Sequence, residues 1–204
     1  MLIAARRTVL AMLLATPLSA RAQPADPAAP IAALNKALLE AMHAGRATPF
    51  PQRFKLLAPS LDAAFDLGEI LRNSVGLHWQ DIATQQRAAL EQVFRIFTIA
   101  SYAANFDNFD GQRIDILPER RAIGADQVVA TELIQGEQTT RIDYVMRQSD
   151  GAWRAIDVLL NGTISRVAVQ RSDFRRLLDS GNAERLIQSL RDKIAELSGG
   201  TVTA

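Results

Sequence analysis

Residues 139–161 read TTRIDYVMRQSDGAWRAIDVLLN, and they constrain the architecture more than any other stretch. Within Thr139–Gln148, Ile142, Tyr144 and Met146 fall on one side and Arg141, Asp143 and Arg147 on the other. That period of two belongs to a half-buried β-strand. Ser149-Asp150-Gly151 then supplies hairpin-turn chemistry. A further strand follows over Ala152–Asn161, where alternation predicts Ile156, Val158 and Leu160 opposite Trp153, Ala155 and Asp157. Upstream, Gln112–Leu117 and Gln127–Gln135 read the same way. Four strands joined by short turns predict an antiparallel meander with one face covered.

The covering material lies on both sides of this block and follows a period near 3.6. Thr84–Asn105 is predicted as one long helix capped by Thr84, with Leu90, Val93, Phe94, Phe97 and Ala104 in one apolar stripe. Ile96, Ile99, Ala100 and Ala103 form a second stripe, so this helix must be covered on more than one side. Before it come a helix over Ile31–Ala44, ended by Gly45, and three short pieces, Gln52–Ala58, Ser60–Phe65 and Leu67–Val75. Pro59 and Gly68 separate the short pieces, with Ser60 as a cap. After the strands come Ile164–Leu178 and Ala183–Leu197, the latter capped at Asn182. Helices, then a meander, then helices make an α+β fold.

The 204 residues carry 23 basic and 22 acidic side chains, 48% hydrophobic residues and no cysteine. This composition excludes a disordered tail protein or a disulfide scaffold, and the missing thiols exclude Cys-ligated metal and thiol catalysis. A formal charge of +1 gives nucleic acid no attractive field, so none is expected as a partner. At the N-terminus, Arg6-Arg7, an apolar run from Val9 to Ala15 and the small residues before Gln23 describe a secretory signal peptide over residues 1–22. A buried N-terminal helix is the plainer alternative, and Pro17 argues against it. Removing residues 1–22 takes away Arg6, Arg7 and Arg21 but no acid, three positive charges fewer than +1, which leaves −2. Export to the periplasm is expected, with residues 23–30 a flexible lead-in, 31–198 one domain and 199–204 a disordered tail.

No catalytic constellation emerges. His43 and His78 lie apart with no metal-ligand spacing around them. Asp62, Asp66 and Glu69 share a helical face that could pair carboxylates, although the solvated face of a short helix is the simpler reading. Asp107–Gly111 lacks the ligand spacing of a calcium loop and reads as a turn, as does Asn161-Gly162. Arg171, Arg175 and Arg176 form a small basic face, either solvated or in contact with a headgroup or partner.

Two segments together carry a resemblance. Gly76-Leu77-His78-Trp79 precedes Thr84-Gln85-Gln86-Arg87 and an aromatic series of Phe94, Phe97, Tyr102 and Phe106, closing at Gly111. Later come Trp153-Arg154-Ala155-Ile156-Asp157-Val158, Asn161-Gly162, Ile164-Ser165 and Arg171-Ser172-Asp173-Phe174. This order, over roughly Ile31 to Leu197, resembles the MlaC or toluene-tolerance family of periplasmic phospholipid-binding proteins, and is also similar to a branch associated with hopanoid biosynthesis. The resemblance implies an NTF2-like fold, with a curved antiparallel sheet of four or more strands wrapped by about six or seven helices around an apolar cavity. It implies a monomeric lipid carrier without catalysis or cofactor. Its partners would be a phospholipid or related lipid, an inner-membrane ABC transporter complex and an outer-membrane lipoprotein complex that maintains lipid asymmetry.

On that reading the cavity lining is expected from Phe94, Phe97, Ile134, Ile142, Tyr144, Met146, Val158, Leu160 and Val167, with Tyr102 near the mouth. Plain core is the other reading for each of them. Trp79, Trp153 and Asp157 are expected to be structural. A carrier of a hopanoid or another apolar ligand remains open, as does an interaction module with no ligand. So does an NTF2-like isomerase or dehydratase using Asp157 or Asp143, which needs a carboxylate facing the cavity.

Overall fold

The computed structural model describes residues 26–179 and 181–204. The signal peptide expected over residues 1–22 lies outside them. Helix α1 spans Ala28–Ala44, α2 Phe50–Ala64 and α3 Leu67–Val75, followed by a 3₁₀ turn at Gly76–Gln80. Helix α4 runs from Thr84 to Asn105. Strands β1 (Arg113–Ile123), β2 (Asp126–Gln135), β3 (Gln138–Ser149), β4 (Ala152–Leu160) and β5 (Ile164–Ser165) form one antiparallel sheet in sequence order. Helices α5 (Arg166–Arg175) and α6 (Glu184–Ser198) close the chain. The α+β arrangement is the one predicted from the change of period.

Several boundaries differ, each for a physical reason. Helix α2 runs through Pro59. The proline forfeits one helical hydrogen bond, but Leu57, Leu61 and Ala64 on either side of it are fully buried and hold the turn in place. Ser60 therefore caps nothing. Asp66 caps α3 instead, its Oδ1 accepting from the Glu69 amide at 2.8 Å. Helix α4 is preceded by Ala83 as its cap residue, with Thr84 already helical. Strand β1 continues past Leu117 to Ile123, with its register shifting between Ile116 and Arg120. Pro118 sits in that irregularity, on an edge strand where a missing N–H is tolerated.

Both ends of the domain are more ordered than expected. Helix α1 starts inside the predicted lead-in, where Asp26 accepts from the Ala28 amide at 3.0 Å. At the other end, Val202 packs against the core and its amide bonds Ser198 Oγ at 3.2 Å, so the predicted tail folds back.

The largest departure is a bulge in β4. Val145 pairs with Asp157 and Met146 with Ala155, so Ile156 is the extra residue. A bulge reverses the parity of a strand beyond it. Trp153 and Ala155 consequently share the inner face with Val158 and Leu160, and Ile156 leaves it. Asp143 lies on the outer face, fully buried, where Arg121 donates to it at 3.1 Å and Arg141 at 2.9 Å. Arg141 also pairs with Glu119. Two partly exposed arginines thus neutralise a carboxylate that could not be left buried alone.

Helix α4 is the element to which the rest is referred. It packs along α6 and α2, and its Leu90, Val93, Ile99 and Ala103 are buried. From α6, Leu186, Ile187, Leu190 and Ile194 join the same core. Its remaining side faces the sheet.

Candidate functional site

Between α4, α5, the α2–α3 junction and the inner face of β3 and β4 lies a cavity of about 370 Å³. The period of α4 brings one stripe to it: Phe94, Phe97, Thr98, Ser101, Tyr102 and Asn105. Strands β3 and β4 contribute Ile142, Tyr144, Val158 and Leu160, and α5 contributes Arg166, Val167 and Gln170. Phe65 and Leu67 reach it because the α2–α3 junction is tied to β4. Phe65 bridges Ala155 in parallel, and the Asp66 amide donates to the Ala155 carbonyl at 3.0 Å.

Eight of the ten residues expected at a lipid site line this space: Phe94, Phe97, Tyr102, Ile142, Tyr144, Val158, Leu160 and Val167. Ile134 and Met146 do not. The register puts Thr131 opposite Ile142, and Ile134 is three residues further on, an odd step that turns it to the outer face. Met146 has the right parity, but it is fully buried in packed core two residues beyond Tyr144.

Half of the polar groups at the wall are already committed, among them Gln170, which accepts from Ser74 Oγ at 3.1 Å. Thr98 Oγ1 donates to the Phe94 carbonyl at 2.9 Å and Ser101 Oγ to the Phe97 carbonyl at 2.8 Å, so both turn a hydrocarbon face to the cavity. Asp157, the one carboxylate among the lining residues, accepts from the amides of Val158 at 2.7 Å and Val167 at 3.1 Å. Its other oxygen accepts from Ser165 Oγ at 2.5 Å. Asp157 therefore clamps β4 to the start of α5. Ser165 caps α5 through the Ala168 amide at 2.9 Å.

Asn105, Arg166 and two hydroxyls are the exceptions among the lining residues. Tyr102 and Tyr144 have no hydrogen-bond partner among the described residues. Both phenols are pushed well above the usual range, primarily because burial penalises the phenolate. The nearby Arg166 pulls Tyr102 slightly back, and Tyr102 raises Tyr144 further. Tyr102 also stacks on Phe106, with centroids 5.7 Å apart.

The other candidates dissolve into structural roles. Asp62 pairs with Arg95 at 2.5 Å, Asp66 is a cap, and Glu69 bonds Arg72 and Arg147. His43 stacks on Phe109 at 3.7 Å, and His78 lies 4.0 Å from Asp81. Among the described residues no group of three acidic or histidine side chains could hold a metal ion. No helix there is long and apolar enough to cross a membrane.

A largely apolar space, open on one side and walled by a long helix and a curved meander, is what the resemblance of the two sequence segments implies. The sequence matches the family model described as MlaC protein over residues 32–192. The chain belongs to the MlaC family. No curated protein matches it. Among solved structures it is similar to a phospholipid-binding protein from Ralstonia solanacearum, determined in complex with a phospholipid. The TM-score is 0.73 at 20% identity, covering 85% of this chain and 99% of that one. At that identity the likeness establishes a shared fold over nearly the whole domain.

Thr98, Ser101, Asn105 and Phe106 were within reach of sequence reasoning, since they continue the spacing of Phe94, Phe97 and Tyr102 along α4. Gln170 follows from Val167 in the same way, three residues along α5, and Arg166 from Gln170, four residues back. Phe65, Leu67 and Ile70 had no local signal. The bridge that brings Phe65 to the cavity joins positions far apart in the chain.

Proposed function

We propose that this MlaC-family chain is a non-enzymatic lipid carrier of the periplasm. It holds an acyl tail in the cavity and carries phospholipid between an outer-membrane lipoprotein complex and an inner-membrane ABC transporter complex. The observation that carries the reading is a cavity of about 370 Å³ whose wall is mostly apolar, with Thr98, Ser101, Asp157 and Gln170 bonded to the protein itself. Space of this size lies toward the low end of the ~300–1,000 Å³ usual for small-molecule sites. Counting each methylene as roughly the ~30 Å³ of a water molecule, it seats most of one tail. A second tail requires the α5 side and the sheet to part.

The driving force is large enough to need such a shelter. Exposing a 16-carbon tail to water costs on the order of 12 kcal/mol at ~0.8 kcal/mol per methylene. A carrier must recover nearly all of that, so an ionised group facing the tail has to be satisfied by the protein itself, as Asp157 is. The isomerase or dehydratase reading calls for an available cavity carboxylate, and both oxygens of Asp157 are already occupied. Asp143 faces the other side of the sheet.

The test is organic extraction of the purified protein followed by lipid mass spectrometry. Phospholipid is expected at close to one equivalent per chain. Val158→Glu is expected to abolish it while the circular dichroism spectrum is retained. Protein that purifies without lipid, or a Val158→Glu variant that keeps it, overturns the proposal.

A further inference from the structure

A second concave site lies on the far flank of α5 from Arg166, between that helix and the 3₁₀ turn. It measures about 480 Å³ and is lined by Arg72, Asn73, Val75, Gly76, Leu77, His78, Arg171 and Arg175, with no carboxylate among them. Leu77 stands out of it at 96% exposure, far above any other large hydrophobic side chain described. Gly76 has φ +68, a conformation that turns the chain so that Leu77 leads the 3₁₀ segment outward.

The charges around Leu77 are held in place and left available. Arg171 and Arg175 are one helical turn apart on the same flank. Arg171 Nε donates to the Asn73 carbonyl at 2.8 Å, which fixes the guanidinium and leaves its terminal amino groups free. Neither Arg171 nor Arg175 has a carboxylate partner among the described residues, whereas Arg176 pairs with Asp173 at 3.4 Å and Arg72 with Glu69 at 3.0 Å. Helix α5 and its C-cap residue carry Arg166, Arg171, Arg175 and Arg176 against Asp173 alone.

An apolar side chain projecting from a collar of unneutralised arginines has the chemistry of an interfacial anchor. The leucine enters the acyl boundary while the cations meet phosphates at the headgroup level. We propose that this surface docks the protein on an anionic lipid bilayer. A protein partner would offer acidic side chains to the arginines, but a leucine 96% exposed beside two unpaired cations is complementary to an acyl boundary lying under a layer of phosphates. One leucine and two free arginines make the docking weak and reversible, as a surface used for repeated visits requires. The inference does not depend on what fills the cavity.

Vesicle co-sedimentation of the full chain tests it, comparing phosphatidylglycerol with phosphatidylcholine vesicles. Residues 1–22 are common to all variants, so differences between variants report on this surface. Binding is expected on the anionic vesicles only. It should be lost when salt shortens the screening length from ~10 Å at 0.1 M to ~3 Å at 1 M. The double variant Arg171→Glu, Arg175→Glu should lower partitioning by at least about tenfold, and Leu77→Ser by several-fold. Equal binding to both vesicle types, or undiminished binding by the double variant, overturns the proposal. So does a wild type that ignores vesicles and captures an acidic protein instead. All three positions are exposed, so the variants should fold and keep their extractable lipid. Lipid-free protein that still binds anionic vesicles would sink the carrier reading and leave this surface standing.

Discussion

Along α4, Leu90, Val93 and Ala103 are sealed in a core shared with α6 and α2, while Phe97, Tyr102 and Asn105 border about 370 Å³ of open space. The two sides use similar residue types. They differ in what faces them. Helix α6 offers four large aliphatic side chains at helical spacing, whereas the sheet opposite curves away and is bridged only at its edge by the α2–α3 junction and α5. The difference teaches that an apolar surface becomes core or cavity according to how closely the facing element can approach. The side chains alone do not decide it.

The largest expected effect separates the two sides by pH. The chain's only tyrosines are Tyr102 and Tyr144, and both border the cavity. Their phenols are raised in the folded state chiefly by burial. The unfolded chain therefore releases protons first as pH climbs past ~10. Stability from these groups is intact below pH 10 and then falls by about 1.4 kcal/mol per pH unit for each tyrosine. Tyrosinate absorbance should stay silent above pH 10 until the circular dichroism signal collapses, and the two should then change together. Ionisation at the ordinary pH in a still-folded protein would show the cavity to be wet.

A smaller effect comes from matched truncations on one helix. Leu90→Ala leaves a void in filled core and should cost about 2–5 kcal/mol, measured as a shift in urea midpoint at constant slope. Phe97→Ala removes more atoms but enlarges a space that already exists. Its cost in lipid-free protein should stay below about 1.5 kcal/mol, well under the ~3–5 kcal/mol of a core phenylalanine. Similar losses at the two positions would mean that the cavity closes when empty.

That contrast also marks how far the sequence could be read. The span of α4 was legible to within a residue, with Ala83 and not Thr84 as its cap, because its two apolar stripes are local and periodic. Eight cavity residues were legible for the same reason. The faces of β4 were not, since the bulge at Ile156 has no signature in the alternation and becomes visible only against the register of β3. Asp157 keeps the parity expected of it, opposite Val158 and paired with Val145, yet it borders the cavity, where its bonds to Ser165 and the Val167 amide hold it against the start of α5. The continuity of α2 through Pro59 depended on burial of Leu57 and Leu61, which are held by contacts from elsewhere in the chain. Ile134 failed by a single residue of register, the smallest error that turns a side chain to the opposite face.

The smallest expected effect tests the seam between the two regions. Ser165 caps α5 and donates to Asp157, and Asp157 in turn holds the Val167 amide. Ser165→Ala should cost only about 1 kcal/mol, the ordinary price of a lost cap, because the two amide bonds to Asp157 remain. Its effect on ligand retention should be greater than its effect on stability. Removing the hydroxyl leaves one Asp157 oxygen without its donor at the cavity wall, and an acyl tail tolerates a bare carboxylate poorly. Ser165→Thr keeps the oxygen and should restore retention. A Ser165→Ala protein that loses stability and lipid in equal measure would mean that the serine serves the helix alone. Loss of lipid with the urea midpoint almost unmoved would mean that the same hydroxyl keeps the empty side of the molecule dry.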